Sequence, residues 1–260
     1  MLKSRRKTGG KEMIRVTIWN EFVHEQVEER VKEVYPKGIH GAISEFLSKN
    51  EDMEVRTGTL SDPEQGLPDE VLNNTDVLIW WGHMAHDKVD DALVERIHKR
   101  VLDGMGFIGL HSAHHSKIFK KLMGTTCNLR WRLDGMHERV WNIAPNHPIA
   151  QGIPPYFEVE KDEMYGELFD IPQPDEQIFL TWHPGGELFR SGCTFKRGLG
   201  RIFYFQPGHE EYPIFSENKY VQKIITNAVR WVNPYVIDGS LTACLNPPST
   251  EKEYLEKKNQ

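Results

Sequence analysis

The sequence predicts an α/β fold with a mostly parallel central sheet and helices on both of its faces. Strand-like and helix-like segments alternate through the first half of the chain, which is the pattern of βαβ units. The run VLIWW at 77–81 is continuously apolar, as in a strand buried on both faces. No stretch approaches the ~20 apolar residues needed to cross a bilayer, so we expect no membrane partner.

The first half supplies four predicted strands separated by helices. The strands are Met13–Trp19, Met53–Thr59, Val77–Trp81 and Gly106–Leu110. Apolar residues at helical spacing predict helices around 39–47, 87–101 and 118–122. Asp87 is expected to cap the second of these helices, because a short acidic side chain can accept from the first free backbone N–H groups.

The second half is less regular. Residues 124–155 show few clear periods, and we interpret them as a long excursion. Strands are predicted over Gln177–Trp182, Glu187–Phe195 and Arg201–Phe205. The last two are joined by KRGLG, which is typical of a hairpin turn. Ser216 is expected to cap a final helix with an apolar stripe from Val221 to Val232.

Composition excludes several classes of protein. The chain has 260 residues, 38% hydrophobic and 27% charged, with a net charge of −6. This charge argues against a general nucleic-acid binder, which needs a basic face. The three cysteines are widely spaced and outside any CxxC pair. They indicate neither a disulfide framework nor a thiolate zinc site, and they favour a reducing, cytoplasmic compartment.

One domain is predicted over residues 13–234, because no linker-like segment divides this stretch. Residues 1–12 are basic and lack apolar periodicity, which predicts a disordered leader. Residues 235–260 contain a Pro-Pro pair and end in EKEYLEKKNQ. We interpret them as a C-terminal tail that lies on the surface or contacts a partner.

Histidines follow the predicted strands of this sheet. The chain has twelve, and those after strands are His24, His83, His86, His111, His114, His115, His183 and His209. Open parallel sheets bind ligands at the carboxyl ends of their strands, so several of these imidazoles should meet at one edge. The histidines at 40, 98, 137 and 147 are interpreted as structural.

The convergence of imidazoles predicts a catalytic metal site with an open position. The candidate ligands are His24, His83, His111 and His209, of which three would suffice. We expect a divalent cation, zinc before manganese or iron. Glu163, in KDEMYGE, and Glu210 are candidate acids or bases for proton transfer. Any one of these residues could instead be an ordinary polar loop residue or a donor to substrate.

The turn GLHSA at 109–113 has the layout of a nucleophile elbow, which lifts its central residue above the sheet. Hydrolases place serine at the centre and amidotransferases place cysteine. Here the centre is His111, a good ligand or general base and a poor acyl-transfer nucleophile. His111 is therefore also a catalytic candidate. Ser112, the next residue, keeps a metal-independent hydrolase open as a third alternative.

Several motifs together carry a family resemblance. They are IRVTIWNE, VLIWWGHMAH, GMGFIGLHSAHHSKIFKKLMGT, NHPIAQGIP, DEMYGE, RSGCTFKRGLGRIFYFQPGHEEYP and NAVRWV. In this order, from about residue 13 to 234, the chain resembles the ThuA-like trehalose-utilisation family. That family is similar to class I glutamine amidotransferases, which implies a flavodoxin-like three-layer sandwich. The resemblance also implies a link to the catabolism of trehalose and related disaccharides through keto-sugar intermediates.

The resemblance places the amidotransferase cysteine at His111 and the histidine–acid end of its triad near His209, with Glu210 or Glu211. Loss of the cysteine argues against glutamine amidotransferase activity. Beside the serine-hydrolase alternative, two hypotheses come first: a metal-dependent enzyme acting on a sugar or keto-sugar, and a non-enzymatic carbohydrate-binding or regulatory protein on the same scaffold. The apolar C-terminal helix, the tryptophans and the charged tail also predict a homo-oligomer.

Overall fold

The computed structural model describes residues 7–8, 11–234 and 251–259. The strands are β1 (Ile14–Asn20), β2 (Met53–Thr59), β3 (Val77–Trp81), β4 (Gly106–Leu110), β5 (Arg130–Arg132), β6 (Glu138–Asn142), β7 (Tyr156–Val159), β8 (Met164–Gly166), β9 (Glu176–Trp182), β10 (Leu188–Arg197) and β11 (Gly200–Phe205). A short hairpin, Lys7–Thr8 with Lys11–Glu12, precedes them.

Helices alternate with these strands along the chain or follow them. They are α1 (His24–Val27), α2 (Glu29–Val34), α3 (Gly38–Leu47), α4 (Asp69–Asn73), α5 (Asp91–Leu102), α6 (Lys117–Met123), α7 (Ile214–Glu217), α8 (Lys219–Val232) and α9 (Glu251–Lys258). Short 3₁₀ turns lie at Pro63–Gly66, His86–Lys88, His111–His115 and Pro148–Ala150. The turn His111–His115 directly follows β4, and the turn His86–Lys88 lies in the loop after β3.

Nine strands form one central sheet in the order β2-β1-β3-β4-β11-β10-β9-β6-β7. The first four neighbouring pairs are parallel, and the last four are antiparallel. The sheet is therefore mixed, and its parallel half carries the crossover helices. The two remaining strands, β5 and β8, form a separate antiparallel ribbon.

Each face of the sheet has its own apolar core, which confirms the α/β sandwich of three layers. On one face, α3 and α8 pack onto β1 and β4 through side chains such as Ile43 and Ile225. On the other, α5 and α6 bury side chains such as Ile97 and Phe119. All five residues of β3 are fully buried, as the continuous apolar run predicted.

The strands predicted in the first half are confirmed to within one residue, and the hairpin after β10 is confirmed as well. Its register pairs Arg197 with Gly200, so only Gly198 and Leu199 form the turn. Gly198 has φ +56°, a left-handed conformation that glycine adopts without strain. The turn thus fixes the register between β10 and β11.

Two predicted helix caps are wrong. Helix α5 begins at Asp91 with Asp90 at the cap position, because Asp87 lies in a 3₁₀ turn. Helix α8 is capped by Asn218, whose side chain accepts from the N–H groups of Tyr220 and Val221. Ser216 lies within the short α7 instead. Both segments contain two candidate capping residues, and only the path of the preceding loop selects one of them.

The stretch 124–155, which we interpret from the sequence as a long excursion, contributes a strand to the central sheet. It contains β6, which pairs with β9 and β7 in the antiparallel half. Only Glu138 and Val140 of this strand are buried, and its outward residues are partly exposed. The alternation of buried and exposed residues in β6 is short, and its first buried residue is an acid. An analysis of hydrophobic periodicity therefore does not detect this strand.

The chain ends lie partly outside the described residues. Of the predicted leader, residues 7–8 and 11–12 form the short hairpin, and the others are outside the description. Of the predicted tail, 235–250 and 260 are outside it, and Glu251–Lys258 is helical. Among the described residues, no helix is long and apolar enough to span a membrane.

Candidate metal and acid–base site

The structure brings all six predicted site residues together at one edge of the central sheet. They are His24, His83, His111, Glu163, His209 and Glu210. His24 begins α1 after β1, His83 follows β3, and His111 follows β4. His209 and Glu210 lie in the loop after β11, while Glu163 precedes β8. The edge is formed by the carboxyl ends of the parallel strands, as the topology requires.

Three of these residues form a compact triangle of potential ligand atoms. Nδ1 of His24 lies 2.9 Å from Oε1 of Glu210, and Nδ1 of His83 lies 3.2 Å from the same oxygen. The two Nδ1 atoms are 3.2 Å apart. Two imidazole nitrogens and a carboxylate oxygen therefore face a common point.

The spacing of this triangle fits a divalent cation. Ligand atoms about 2.1 Å from one ion lie about 3.0 Å apart at a right angle and about 3.4 Å apart at the tetrahedral angle. The observed separations of 2.9–3.2 Å match three ligands on one face of the ion. Two imidazoles and one carboxylate so arranged would leave coordination positions of such an ion open.

His111 occupies the elbow turn, at the centre of the site floor. Its φ is +49°, the strained left-handed conformation that a nucleophile elbow imposes on its central residue. Nδ1 lies 2.9 Å from the Gln206 carbonyl oxygen, so it donates its hydrogen there. Nε2 lies 3.2 Å from Oε2 of Glu163 and 3.3 Å from the Tyr165 hydroxyl. Tyr165 also stacks on the ring, with centroids 4.9 Å apart.

Opposing effects set the pKa of His111. Complete burial favours the neutral ring, but the hydrogen bond to Glu163 and the charges of Asp162, Glu163 and Glu210 outweigh it. They raise the pKa of His111 to about 9. Conversely, burial alone would raise the pKa of Glu163, and the bond to His111 lowers it instead. His111 and Glu163 therefore form an imidazolium–carboxylate pair in the metal-free site.

His209 is held differently from His111. Its Nδ1 accepts a hydrogen bond from the backbone N–H of Glu211 at 3.3 Å. Its Nε2 lies 3.7 Å from Oε1 of Glu210. The ring stands edge-on to that of His111, with centroids 5.4 Å apart. Burial is the largest influence on its pKa, which falls to about 4, so the ring is neutral near pH 7.

Two further carboxylates, Glu21 and Asp162, hold the loops that carry these residues. Glu21 accepts from the N–H groups of Met84 and Ala85, at 2.7 and 3.0 Å, next to His83. Asp162 accepts from the N–H groups of Glu163, Gly208 and His209, at 2.8–3.0 Å. Glu21 directly follows β1, and Asp162 lies between β7 and β8. Apart from Glu163, their partners belong to loops that are distant in the chain.

The site holds many buried carboxyl groups. Six of them at this edge are at most 5% exposed: Glu21, Glu25, Glu138, Asp162, Glu163 and Glu210. Among the described residues, no lysine or arginine is buried. Buried charges are normally paired or bound to metals. Burial opposes ionisation of Glu210, yet hydrogen bonds from His24 and His83 hold its pKa well below the ordinary range. The buried Oε2 of Glu210 has no partner within the described chain.

The other strand-end histidines lie outside this cluster. His183 is buried beside Glu138, with Nε2 3.7 Å from a carboxylate oxygen. His86 and His115 form a neighbouring ring pair with centroids 6.3 Å apart. His114 donates from Nδ1 to the Cys127 carbonyl at 2.8 Å. These contacts give His114 a structural role.

The four histidines interpreted as structural do not join the triangle. His98 lies on α5 and His137 beside Trp182. His147 accepts from the Ile149 N–H as a local cap. His40 contacts the Asn20 amide at 3.0 Å, at the periphery of the site.

The alternative nucleophiles have other partners. The Ser112 hydroxyl donates to the Gly82 carbonyl at 2.9 Å rather than to a histidine. Cys127 and Cys193 are buried, and burial raises the pKa of the Cys193 thiol to about 12. Cys244 lies outside the described residues. Neither a serine triad nor a thiolate nucleophile is built at this edge within the described chain.

Comparisons with known proteins identify the family and agree with the fold. The family model ThuA, described as trehalose utilisation, matches residues 15–232. No curated protein matches the chain. A solved protein from Bacteroides uniformis described as ThuA-like is 17% identical, with a TM-score of 0.62 over 87% of this chain and 94% of that one.

Two more solved structures share the architecture. A protein from Parabacteroides merdae described as ThuA-like is 14% identical, with a TM-score of 0.64 over 87% of this chain and 93% of that one. A cytoplasmic protein from Salmonella typhimurium is 11% identical, with a TM-score of 0.58 over 85% of this chain and 100% of that one. At these identities the structures establish the fold, and the match to the family model covers most of the chain. The chain therefore belongs to the ThuA family of trehalose utilisation.

Proposed function

We propose that this protein is a divalent-metal-dependent enzyme that acts on a sugar or keto-sugar during disaccharide utilisation. The observation that carries the proposal is the triangle of His24, His83 and Glu210, whose ligand atoms are 2.9–3.2 Å apart. Membership of a trehalose-utilisation family supports the class of substrate.

The donor set suits a first-row transition metal. Imidazole nitrogen binds zinc, iron and manganese, and one carboxylate with two histidines is a recurrent ligand set. Zinc is our first choice, and the near-right-angle spacing also admits six-coordinate manganese or iron. The excess of buried carboxylates at this edge would be partly neutralised by the ion. Glu210 thus acts as a ligand in this proposal rather than as the proton carrier.

The chain's own residues then divide the chemistry. A cation in the triangle would supply Lewis acidity that polarises a sugar carbonyl or a pair of vicinal hydroxyls. Glu163, 3.2 Å from His111 Nε2, carries a proton to or from the substrate. His111 holds that carboxylate in place and exchanges the proton with it, while Tyr165 covers the ring on one side.

Metal analysis of the purified protein tests the proposal. We expect a stoichiometric divalent metal that dialysis against a chelator removes and that zinc restores. His83→Ala should abolish stoichiometric binding, because it removes one corner of the triangle. His98→Ala, on α5 and far from this edge, is the matched control and should bind normally. Metal-free protein that takes up no zinc, or full binding by His83→Ala, would contradict the proposal.

A second function is a non-enzymatic carbohydrate-binding protein. The observation that favours it is Trp131, which is 64% exposed on β5 and is paired across the ribbon with Tyr165, a residue that packs on His111. Exposed aromatic rings can stack on sugar faces. Tryptophan fluorescence titration with trehalose, with and without chelator, separates the two. Binding that ignores the chelator, without turnover, would favour this second function.

The cellular setting is also a proposal. A cytoplasmic location is consistent with the two free, buried cysteines described here and with the Salmonella neighbour. Homo-oligomer formation would cover exposed apolar side chains on the ribbon and beside it, such as Leu168, which is 80% exposed. Sedimentation velocity of the purified chain measures the oligomeric state directly.

A further inference from the structure

The two ring nitrogens of His209 lie in settings that determine which of them carries hydrogen. Nδ1 faces the backbone N–H of Glu211 at 3.3 Å. A backbone N–H can only donate, so Nδ1 must offer its lone pair. The neutral ring therefore carries its hydrogen on Nε2, the nitrogen that faces the site.

His111 shows the opposite arrangement, which makes the contrast informative. Its Nδ1 faces the Gln206 carbonyl oxygen at 2.9 Å, and a carbonyl can only accept. In its neutral form His111 thus presents a lone pair on Nε2, whereas His209 presents an N–H. The backbone partner of Nδ1 thus selects a different neutral tautomer for each of the two histidines.

The backbone around His209 is firmly held in this position. Asp162 accepts from the N–H groups of Gly208 and His209, each at 3.0 Å. Gly208 has φ +144°, and a Cβ there would collide with the Phe215 ring. His209 is itself only 3% exposed. The direction of its Nε2–H is therefore set before any ligand arrives.

Nε2 of His209 lies close to the triangle of His24, His83 and Glu210 without belonging to it. Its distance to Oε1 of Glu210 is 3.7 Å, which is longer than a hydrogen bond. A metal ligand needs a lone pair on the coordinating nitrogen. Coordination through this atom would require the hydrogen to leave or the contact with Glu211 to break.

We propose that His209 is a neutral hydrogen-bond donor to a substrate oxygen held beside the metal triangle, and not a ligand of the metal. This inference rests on the proposed function, because the substrate oxygen is the one that a cation held by His24, His83 and Glu210 would polarise. Negative charge that builds on that oxygen in the transition state would be met by the fixed N–H. In a site lined with carboxylates and with no buried lysine or arginine among the described residues, such a donor supplies needed positive potential.

Nitrogen NMR of the full-length chain tests the tautomer directly. Histidine-labelled, metal-free protein should show His209 with hydrogen on Nε2 and a bare Nδ1, and His111 with hydrogen on both nitrogens, as the imidazolium partner of Glu163. The assignment uses His209→Gln and His111→Gln to remove one ring signal at a time. A metal-free His209 with hydrogen on Nδ1 would overturn the inference even if the metal site is real.

Loading with cadmium-113 tests coordination. We expect nitrogen–cadmium coupling at His24 and His83 and none at His209. Coupling to His209 Nε2 would overturn the inference and leave the proposed metal site standing. Failure of cadmium or zinc to bind at all would overturn the proposed function, and with it the substrate role of His209, while the metal-free tautomer is still measured.

Zinc titration of two matched variants completes the test. His209→Gln keeps an amide N–H near the Nε2 position and should change the zinc Kd by no more than about threefold. His83→Gln removes a ligand and should weaken zinc binding by more than the 10–100-fold typical of outer-shell changes. Equal losses in the two variants would show that His209 is a ligand.

Discussion

Oε1 of Glu210 lies 2.9 Å from Nδ1 of His24, although the two residues are far apart in the sequence, one in the loop after β11 and the other at the start of α1, after β1. The sheet order explains the contact, because β1 and β11 are separated only by β3 and β4. The ends of these four strands bring His24, His83, His111 and Glu210 to one edge. The contact is thus a direct result of the parallel half of the sheet.

Replacing Glu210 by Gln should weaken zinc binding by more than about 100-fold, beyond the effect of an outer-shell change. The amide keeps the shape of the side chain but loses the charge that faces both Nδ1 atoms. The measurement is a competition titration with a zinc chelator of known affinity. Glu211→Gln is the control, since Glu211 pairs with Arg30 near the surface. Comparable losses in both variants would show a general effect of charge rather than ligation.

Replacing Asp162 by Asn should destabilise the fold by about 2–4 kcal/mol, since three N–H groups lose a charged acceptor and the amide brings new donors toward them. Urea unfolding measures the change. Zinc affinity should fall in parallel, because His209 and Glu163 lose their common anchor. The exposed Asp175 provides the control as Asp175→Asn. A stable Asp162→Asn variant would argue that water replaces the carboxylate.

Replacing Glu138 by Gln should change how stability depends on pH. Burial, together with the charge of Asp162, raises the pKa of Glu138 well above its ordinary value of about 4.3. Stability linked to this proton is complete below that ordinary value and is lost as the pH rises toward the folded-state pKa.

The Glu138→Gln variant keeps a neutral side chain at every pH. Its stability relative to the natural chain should therefore increase between pH 5 and pH 8, measured as the urea midpoint at both values. Asp162, whose pKa burial raises to about 6, contributes a slope of the same sign in both proteins. An identical difference in stability at the two pH values would show that Glu138 ionises normally.

Replacing Ser112 by Ala should cost about 1 kcal/mol of stability and leave metal binding intact, because its hydroxyl donates only to the Gly82 carbonyl. A fluorophosphonate probe should label neither protein. Labelling of the natural chain that disappears in Ser112→Ala would revive the serine-hydrolase alternative. Thermal unfolding with and without zinc supplies the stability values.

Strands β1, β3 and β4 could be predicted because each is a mostly apolar run bounded by polar or turn-forming residues. β2, β3 and β4 agree with the prediction at both ends. β6 could not, since only two of its residues are buried and one of them is an acid. The caps at Asp90 and Asn218 depended on loop paths, which no local pattern records.

The candidate residues followed from one general rule, that parallel strands present their carboxyl ends at a common edge. The rule selected His24, His83, His111, His209 and Glu210, whereas Glu163 came from the acidic cluster KDEMYGE. Neither source showed what each residue does in the site. Which nitrogen each ring presents depends on backbone groups of Gln206 and Glu211 that lie beside it only in the folded chain. The anchoring role of Asp162 was hidden for the same reason.

The sequence by itself determined the α/β class, the strand ends that carry chemistry and the absence of a cysteine at the elbow, because these properties reside in local patterns of residue type. Tertiary structure alone decided that Glu210 faces two imidazoles, that His111 pairs with Glu163 and that Nδ1 of His209 accepts from the Glu211 N–H. Distances of 3 Å between groups far apart in the chain arise from strand order and loop path, which residue identity constrains only through the whole fold.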